Sequence, residues 1–410
     1  MRRLVPLPKP PGPCKALNIW AWGWDRYCSK RIQSATVHLA WSHRVRTYTA
    51  FNQTAAQFPA YNHVGDCREP LKQIYQFPNL TWVENIAVRA NGKLLVTLIT
   101  SPEVWQIDPS AVPVTAELVV HFPKSTSLLG ITEFAEDVFA VAVGTFNTSD
   151  ITGTLGSWSI WGLDMHGGDT SYDRRERGKP DCDIIDAVDA TAYKITNIPE
   201  ATFLNGMTSI PDTESILIAD SAFGVIFYVN TNTGEYGTAI DNPAFKPSPN
   251  AAVALGINGI QIDHDEPRVL YYSTSFQPHL LLGRLPIAAD GSAAGPVEVV
   301  LQASPFPEII GSQADDFALK DGNVWITQDP SSSILLTSAI DGSMNVTLIA
   351  GSTTERASEN LAAGSTAAQF GRLRRDQDIL YVTTNGGMPT PENGIVGGRI
   401  LSLNTICYLK

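Results

Sequence analysis

The feature that most constrains this chain is a pattern of short apolar strands that repeats six times. Its clearest copy begins at Asn205-Gly206, continues through the apolar run 215–221 and a turn, and ends with the run 224–229. Runs of four to six residues rich in Val, Ile, Phe and Tyr, separated by turn residues, predict β-hairpins. The six copies begin at Val83, Leu129, Asn205, Asn258, Asp315 and Asp378.

The spacing of the copies predicts the fold. Asn205 and Asn258 are 53 residues apart, and Asn258 and Asp315 are 57 residues apart. Repeats of several strands with a period of roughly 40–50 residues or slightly more are typical of β-propellers, in which each repeat forms one blade. The sequence therefore predicts an all-β, six-bladed β-propeller over residues 72–410, preceded by an irregular N-terminal extension over residues 1–71.

Composition limits the classes of partner. Of the 410 residues, 43% are hydrophobic, which is enough to build a large core. The formal net charge of −12 argues against nucleic acid as a partner, because phosphate binding requires a basic surface. The sequence has no apolar run of about 18 residues or more, so it predicts no transmembrane helix. Small molecules are the expected partners, and the oligomeric state is left open.

The N-terminal extension leaves the cellular location open. Arg2 and Arg3 resemble the charged start of a signal peptide, but prolines from Pro6 to Pro13 interrupt the apolar segment that such a signal requires. The segment is either an unusual extension or a start that replaced a normal leader. The five cysteines, odd in number and widely spaced, fit neither a zinc site nor a dense disulfide framework. Four N-glycosylation sequons favour the secretory pathway and chance about equally. Their asparagines are Asn52, Asn79, Asn147 and Asn345.

Four polar residues occupy the same place in their own repeats. The residues that enter the innermost strand of each blade line one end of the central channel of a propeller, so these four side chains are expected at a single channel mouth. They are Glu84, Asn205, Asn258 and Asp315. Two carboxylates and two amide oxygens suit a hard divalent cation. The alternative is four turn residues that satisfy backbone groups. Their shared register favours a common site.

The chain resembles the senescence-marker-protein-30/gluconolactonase propellers over about residues 72–405. The resemblance lies in Glu84-Asn85-Ile86, Asn205-Gly206-Met207, Asn258-Gly259-Ile260 and Asp315-Asp316-Phe317. These segments are similar to the metal-shell positions of that family, which implies a divalent cation (Ca²⁺, Mg²⁺ or Zn²⁺) on Glu84, Asn205, Asn258 and Asp315 and hydrolysis of lactones or esters. Gly-Pro does not follow Glu84, and Asp316 replaces a glycine of the family pattern. These departures predict that hydrolysis of simple aldonolactones is lost.

A fungal branch of these propellers is similar over longer segments. The resemblance lies in FPNLTWVEN at 77–85, IPEATFLNGM at 198–207 and YVTTNGG at 381–387. This branch includes the hetero-Diels–Alderases of tropolone sesquiterpenoid (xenovulene- and eupenifeldin-type) meroterpenoid biosynthesis. The resemblance implies an enzyme that dehydrates a hydroxymethyl-tropolone to an o-quinone methide and traps it with a humulene-type alkene, with no required cofactor.

Such a reaction needs an acid near the leaving hydroxyl group and a donor for the developing oxyanion. Glu84 and Asp315 are the candidate acid–base groups, and Asn205 and Asn258 are the candidate orienting amides. Together these four residues form the predicted catalytic set.

The cycloaddition joins two reactants, so an apolar wall that holds them face to face would supply much of the rate. Trp82, Phe203 and Tyr271 are the candidate wall residues, although each aromatic ring also suits a blade core. Three classes stay open at this point. They are a pericyclase that needs no metal, a metal-dependent lactonase or esterase, and a non-catalytic propeller that binds a partner.

Overall fold

The structure, a computed structural model, describes residues 67 and 69–409, except 168–183, 188, 250, 252, 264, 276–280, 303–312, 340–344, 353 and 390–393. The Asn52 sequon and almost all of the predicted N-terminal extension lie outside the described residues. The division of the chain between residues 71 and 72 therefore stays a prediction. Across the described ranges, no helix has the length and apolar character needed to cross a membrane.

In the described part of the chain, nearly all of the regular structure is β-strand, and 3-10 turns lie at Pro243–Phe245 and Thr405–Cys407. The strands of the first half are β1 (Leu71–Gln76), β2 (Val83–Val88), β3 (Leu94–Leu98), β4 (Glu103–Asp108), β5 (Thr115–His121), β6 (Ser127–Ala135), β7 (Val138–Gly144), β8 (Phe146–Asn147), β9 (Thr152–Gly153), β10 (Ser159–Asp164), β11 (Ile184–Ala187), β12 (Ala190–Asn197), β13 (Leu204–Ser209) and β14 (Ser215–Asp220). Those of the second half are β15 (Val225–Asn230), β16 (Tyr236–Asp241), β17 (Ile257–Ile262), β18 (Val269–Thr274), β19 (Leu282–Pro286), β20 (Glu298–Leu301), β21 (Phe317–Lys320), β22 (Asn323–Gln328), β23 (Ser333–Ser338), β24 (Val346–Gly351), β25 (Ser365–Phe370), β26 (Ile379–Thr384) and β27 (Arg399–Asn404).

These strands form six antiparallel sheets, one for each predicted blade. Consecutive strands β2–β5, β13–β16, β17–β20 and β21–β24 make blades 1, 3, 4 and 5. Blade 2 has the order β6-β7-β10-β12-β11, and the short hairpin β8–β9 forms a separate two-stranded sheet. Blade 6 has the order β25-β26-β27-β1. The predicted all-β, six-bladed β-propeller is confirmed for the described residues.

The two ends of the described chain meet in blade 6. Strand β1 pairs with β27, so an N-terminal strand completes the sheet that the C-terminal strands begin. The disulfide bond Cys67–Cys407 joins the segments next to these two strands, with the Cα atoms 5.5 Å apart. The cysteine pattern did not predict this bond, because its partners are 340 residues apart in sequence and adjacent only in the closed ring.

The sixth sequence copy was assigned one strand too late. Asp378–Thr383 corresponds to the second strand, β26, and the innermost strand of blade 6 is β25. The sequence of β25, STAAQF, has one large apolar residue, so it lacks the signal that marks the other innermost strands. Its first four residues are nevertheless fully buried.

Removing the disulfide bond is expected to weaken closure of the ring. Cys67→Ser with Cys407→Ser should lower the free energy of unfolding by ~2–4 kcal/mol, because the ends of the chain are no longer joined in the unfolded state. Chemical denaturation of the wild type and the double variant measures the difference. A reducing agent should destabilise the wild type and leave the double variant unchanged. Equal midpoints for both proteins without reductant would contradict this role.

Apolar side chains fill the spaces between neighbouring blades. Strands β3 and β7 are buried along their whole length, because adjacent blades cover both faces of each sheet. Leu95 and Val104 of blade 1 pack with Phe139 and Val141 of blade 2 in one such space. Full burial of a side chain of this size contributes roughly 1.5–3 kcal/mol. This packing on both faces explains why the strands appear in the sequence as continuous apolar runs rather than as alternating patterns.

Candidate active site

The innermost strands bring one pair of residues from each blade to the same height of the central channel. In five blades this pair coincides with a β-bulge, and in blade 5 it directly precedes β21. A bulge adds a residue to one strand and re-aims its side chain. The pairs are Glu84-Asn85, Leu129-Gly130, Asn205-Gly206, Asn258-Gly259, Asp315-Asp316 and Thr366-Ala367. Except in blade 5, they lie within strands rather than in the loops that the sequence predicted.

Hydroxyl groups on the second strands hold these bulges in place. The Thr97 hydroxyl accepts a hydrogen bond from the Asn85 N–H at 3.2 Å and donates to the Leu129 carbonyl of blade 2 at 2.6 Å. Blades 2 and 3 have Ala142 and Ala219 opposite their bulges instead. The hydroxyls that bond these bulges are found in blades 1, 4, 5 and 6. They belong to Thr97, Ser273, Thr327 and Thr383.

Thr327 offers a test of these hydroxyl contacts. Its Oγ1 accepts from the Asp316 N–H at 3.1 Å and lies 2.8 Å from the Thr366 carbonyl oxygen of blade 6. Thr327→Val keeps the shape but leaves buried backbone groups unpaired, which is expected to cost ~1–3 kcal/mol of unfolding free energy. Thr238→Val on the exposed outer strand β16 is the control. If denaturation shows the same loss for both variants, the hydroxyl contact is unimportant.

The structure brings three of the four predicted polar residues into one buried group. The Asn258 amide donates to Asp315 Oδ1 at 2.6 Å and to the Ser275 hydroxyl at 2.8 Å. Glu84 is 6% exposed, and its Oε2 atom is buried without a hydrogen-bond partner. Asp315 is 8% exposed, and the Glu84 charge raises the pKa of Asp315. Asn205 is also buried, in the adjoining strand β13.

Sequence analysis missed two further carboxyl groups at this site. Asp316 accepts from the Asn85 amide at 3.4 Å. Asp329 follows β22, accepts from the Asn385 amide at 2.8 Å, and has a second oxygen that is buried without a partner. The only available signals were an Asp-Pro after an apolar strand and the Asn385-Gly-Gly turn. Neither signal indicates that the two segments meet in the channel.

Burial, together with the nearby Asp329 and Asp316 charges, raises the pKa of Glu84 to about 8. The indole of Trp82 partly opposes this shift, although its N–H does not complete a hydrogen bond of normal geometry. Burial also raises the pKa of Asp315 well above its ordinary range, and the neighbouring Glu84 charge adds to the effect. At neutral pH, Glu84 is therefore mostly protonated and can donate a proton.

The two additional carboxyl groups also have raised pKa values. Burial raises the pKa of Asp316 to about 7, although the hydrogen bonds from the Phe317 N–H and the Asn85 amide lower it. Burial raises the pKa of Asp329 to about 7, although the hydrogen bond from the Asn385 amide lowers it. Carboxyl groups with pKa values near the working pH are suited to proton transfer in either direction.

Two of the three predicted wall residues lie in an apolar cluster that reaches the channel. Trp82 and Phe203 belong to one buried cluster with Leu129, which occupies the channel position of blade 2. The Phe203 ring stacks on Trp158, with centroids 6.5 Å apart, and lies 4.6 Å from the ring of Phe146. The channel therefore has carboxyl groups from blades 1 and 5, the Asn205 and Asn258 amides from blades 3 and 4, and an apolar cluster beside blades 2 and 3.

The third predicted wall residue, Tyr271, lies elsewhere. Tyr271 is on the second strand of blade 4 and packs with Phe317 and Leu335 of blade 5. Its hydroxyl donates to Glu266 at 3.1 Å and accepts from Arg284 at 3.2 Å. The structure does not bring Tyr271 to the other predicted residues, because its side chain fills the space between two blades.

The predicted ligands of a divalent cation are Glu84, Asn205, Asn258 and Asp315. Their oxygen atoms are the type that a hard divalent cation prefers, and Glu84 and Asp329 each have a buried oxygen without a partner. Among the described residues, however, no three Asp, Glu, His or Cys side chains converge as a ligand set. The Asn258 amide group donates to Asp315 rather than offering an oxygen at that contact. A cation here would therefore need amide oxygens beside Glu84 and Asp315, and the chemistry below uses protein groups only.

The fold places the chain in a class of solved β-propellers. It is similar to a luciferin-regenerating enzyme, with a TM-score of 0.54, 14% identity, and coverage of 82% of this chain and 94% of that one. It is also similar to regucalcin, a calcium-binding protein from Agrobacterium tumefaciens, with a TM-score of 0.52, 13% identity, and coverage of 81% and 92%. At this identity the likeness shows the fold alone.

Sequence comparison identifies the family within that class. A Phoma sp. protein described as a "Putative hetero-Diels-Alderase" is 30% identical over 369 residues, which cover 83% of this chain and 93% of that protein. A Sarocladium schorii protein of the same description is 26% identical over 371 residues, covering 82% and 84%. No protein-family model matches the sequence. The chain belongs to the hetero-Diels–Alderase family, and it is an enzyme of the pericyclase class.

Proposed function

We propose that this hetero-Diels–Alderase acts in fungal secondary metabolism, where it joins a tropolone-derived o-quinone methide to a humulene-type sesquiterpene to give a meroterpenoid. The observation that carries the proposal is a carboxyl group, Glu84, whose pKa of about 8 keeps it protonated beside an apolar aromatic cluster. Such a group supplies the acid for forming the quinone methide, and the cluster supplies a surface for an apolar reactant.

Forming the quinone methide requires the loss of one water molecule. Glu84 donates its proton to the hydroxymethyl oxygen of the tropolone, the C–O bond breaks, and water leaves. The ring hydroxyl then gives its proton to a carboxylate, either Glu84 itself or the neighbouring Asp315, so that no proton is gained or lost by the enzyme overall. The Asn258 amide donates its two N–H groups to Asp315 and Ser275, so its proposed role is to hold the Asp315 carboxyl group in position for this proton transfer.

The cycloaddition itself needs no acid or base. The quinone methide oxygen and its methylene carbon form a C–O and a C–C bond to the two carbons of the alkene. Holding both reactants in one orientation replaces a bimolecular encounter with an intramolecular step, which lowers the barrier through proximity. Trp82 and Phe203, with Leu129 beside them, are the proposed apolar contacts for the sesquiterpene.

The direct test incubates the purified full chain with a hydroxymethyl-tropolone and humulene. We expect the cyclised adduct to form faster than in buffer, at the same rate with and without a chelator. If the chelator abolishes activity and added Ca²⁺, Mg²⁺ or Zn²⁺ recovers it, the enzyme uses a divalent cation. The predicted ligands Glu84, Asn205, Asn258 and Asp315 would then be supported. Rapid, metal-stimulated hydrolysis of aldonolactones would instead identify a lactonase.

We also propose that the protein is a glycoprotein made in the secretory pathway. Asn79, Asn147 and Asn345 are all exposed, and the Cys67–Cys407 disulfide bond suits an oxidising compartment. Protein expressed through a fungal secretory pathway should lose mass on treatment with peptide N-glycosidase F. Thr81→Ala, Ser149→Ala and Thr347→Ala should each remove one glycan. An unchanged mass would show that the sequons are unused.

A further inference from the structure

A cavity of about 760 Å³ opens at the end of the channel opposite Glu84. We name it the distal funnel. All six innermost strands contribute to its wall through their C-terminal halves, whereas Glu84, Asn205, Asn258 and Asp315 lie toward the N-terminal ends. One residue from each strand illustrates the wall: Val88, Ile131, Ser209, Ile262, Lys320 and Phe370. Its volume lies within the range of roughly 300–1,000 Å³ that is typical of small-molecule sites.

The floor of the distal funnel is a hydrogen bond that crosses the channel. The Asn85 amide of blade 1 donates to Asp316 Oδ2 of blade 5 at 3.4 Å, although blade 6 lies between these two blades. The contact is possible because the equivalent positions of the other four blades carry little or no side chain. They are Gly130, Gly206, Gly259 and Ala367. The floor thus separates the distal funnel from the group around Glu84.

Gly259 shows how closely this floor is packed. A Cβ atom at that position would lie 2.3 Å from Asp316 Oδ1, so a side chain there would displace the Asp316 carboxyl group. The Asn85 amide has two N–H protons and Asp316 Oδ2 has two lone pairs, and the contact between them uses one of each. Hydrogen-bonding capacity therefore remains at the floor for a ligand that enters the funnel.

The charges of the wall exclude anions. Its two cationic side chains are each paired: Arg372 with Glu133, and Lys320 with Asp378 at 2.7 Å. Asp321 adds negative charge that no cation of the wall offsets, and Asp316 adds to it in its ionised form. The remaining wall is mixed: apolar Ile, Val, Met, Leu and Phe side chains alternate with nearly as many hydroxyl and amide side chains.

We infer that the distal funnel is a second binding site, which takes an uncharged, amphipathic molecule with one hydroxyl or carbonyl group directed at Asn85 and Asp316. The apolar side chains of the wall contact the hydrocarbon part of the ligand. The Asn85 amide and the Asp316 carboxyl group complete their hydrogen bonding with its single polar group. The funnel shares Asp316 with the acidic residues around Glu84 but opens at the other end of the channel, and binding there does not require the proton chemistry of Glu84.

Equilibrium dialysis of the full chain with three probes of one hydrocarbon skeleton tests the ligand class. The probes are farnesol, its hydrocarbon analogue farnesene, and the anion farnesyl phosphate. Farnesol is expected to bind at least ~5-fold more tightly than farnesene, the usual effect of one hydrogen bond. Farnesyl phosphate is expected to bind at least ~10-fold more weakly than farnesol, because the uncompensated carboxylates repel it. Equal or tighter binding of the phosphate overturns the inference.

Variants locate the bound probe. Ser209→Trp fills part of the distal funnel and should weaken farnesol binding at least ~10-fold. Thr238→Trp, on the exposed outer strand of the same blade, should leave it unchanged. Asn85→Leu should remove the preference for farnesol over farnesene. Glu84→Gln should retain farnesol affinity, so a failure of the proposed dehydration leaves this result intact. Unchanged binding in Ser209→Trp, or lost binding in Glu84→Gln, places the ligand elsewhere and overturns the inference.

Discussion

Replacing Glu84 by glutamine is expected to slow the dehydration of a hydroxymethyl-tropolone by a factor on the order of 10²–10⁴, the usual contribution of general acid–base catalysis. The amide keeps the shape of the side chain but cannot donate the proton that the leaving hydroxyl group requires. The wild-type rate should also fall as the pH rises above about 8, because Glu84 then loses its proton. Single-turnover measurements of adduct formation across this pH range measure both effects.

A preformed quinone methide is the control for this variant. Its cycloaddition depends on packing and proximity rather than on proton transfer, so Glu84→Gln should affect it far less than the dehydration. Thermal unfolding of the variant checks that the fold is retained. An equal loss on both substrates would show that Glu84 has a structural or metal-binding role. Full activity on both would remove Glu84 from the mechanism.

The second large effect is a loss of stability as the pH rises from about 5 to 9. The pKa values of Glu84, Asp316 and Asp329 are about 8, 7 and 7 in the folded protein, above their ordinary values of 4.5, 3.8 and 3.8. Between these limits the folded state binds more protons than the unfolded state, so the free energy of unfolding falls with increasing pH. Each pKa unit corresponds to about 1.4 kcal/mol per group. A total decrease on the order of 5 kcal/mol or more is expected.

Chemical denaturation in the presence of a chelator, at constant ionic strength, measures this dependence. Asp329→Asn removes one raised carboxyl group and one charge near Glu84, so its stability should depend less steeply on pH. Glu117→Gln on the exposed face of β5 is the matched control and should follow the wild type. If the free energy of unfolding of the wild type is constant or increases from pH 5 to 9, the pKa values of Glu84, Asp316 and Asp329 are not raised in the folded protein.

Sequence alone determined the architecture and aligned the four candidate residues in equivalent positions of their blades. The repeat at 53 and 57 residues sufficed for six blades, because each blade is a local meander whose strands are near neighbours along the chain. The same repeat aligned Glu84, Asn205, Asn258 and Asp315, since equivalent positions of consecutive blades must face one channel. The segments that contain Glu84 and Asn205 also carried the family resemblance that the comparisons bear out.

Tertiary structure decided the features that depend on residues far apart in the chain. Asp329 lies near Glu84 and Asp315 only because the loops after β22 and β26 meet. In that contact the Asn385 amide, 56 residues further along the chain, donates to Asp329. Tyr271 faces a neighbouring blade instead of the channel. Alternation along a strand shows that a side chain is buried, but it does not show which neighbouring element covers it.

The floor of the distal funnel has the same origin. Asn85 and Asp316 are 231 residues apart in sequence. They meet because closure of the ring brings blades 1 and 5 to face the same narrow channel, which is lined by glycine. Local propensity and periodicity carry no information about contacts across that axis. The raised pKa values arise in the same way, since the burial and charge crowding that cause them exist only when the six blades are assembled.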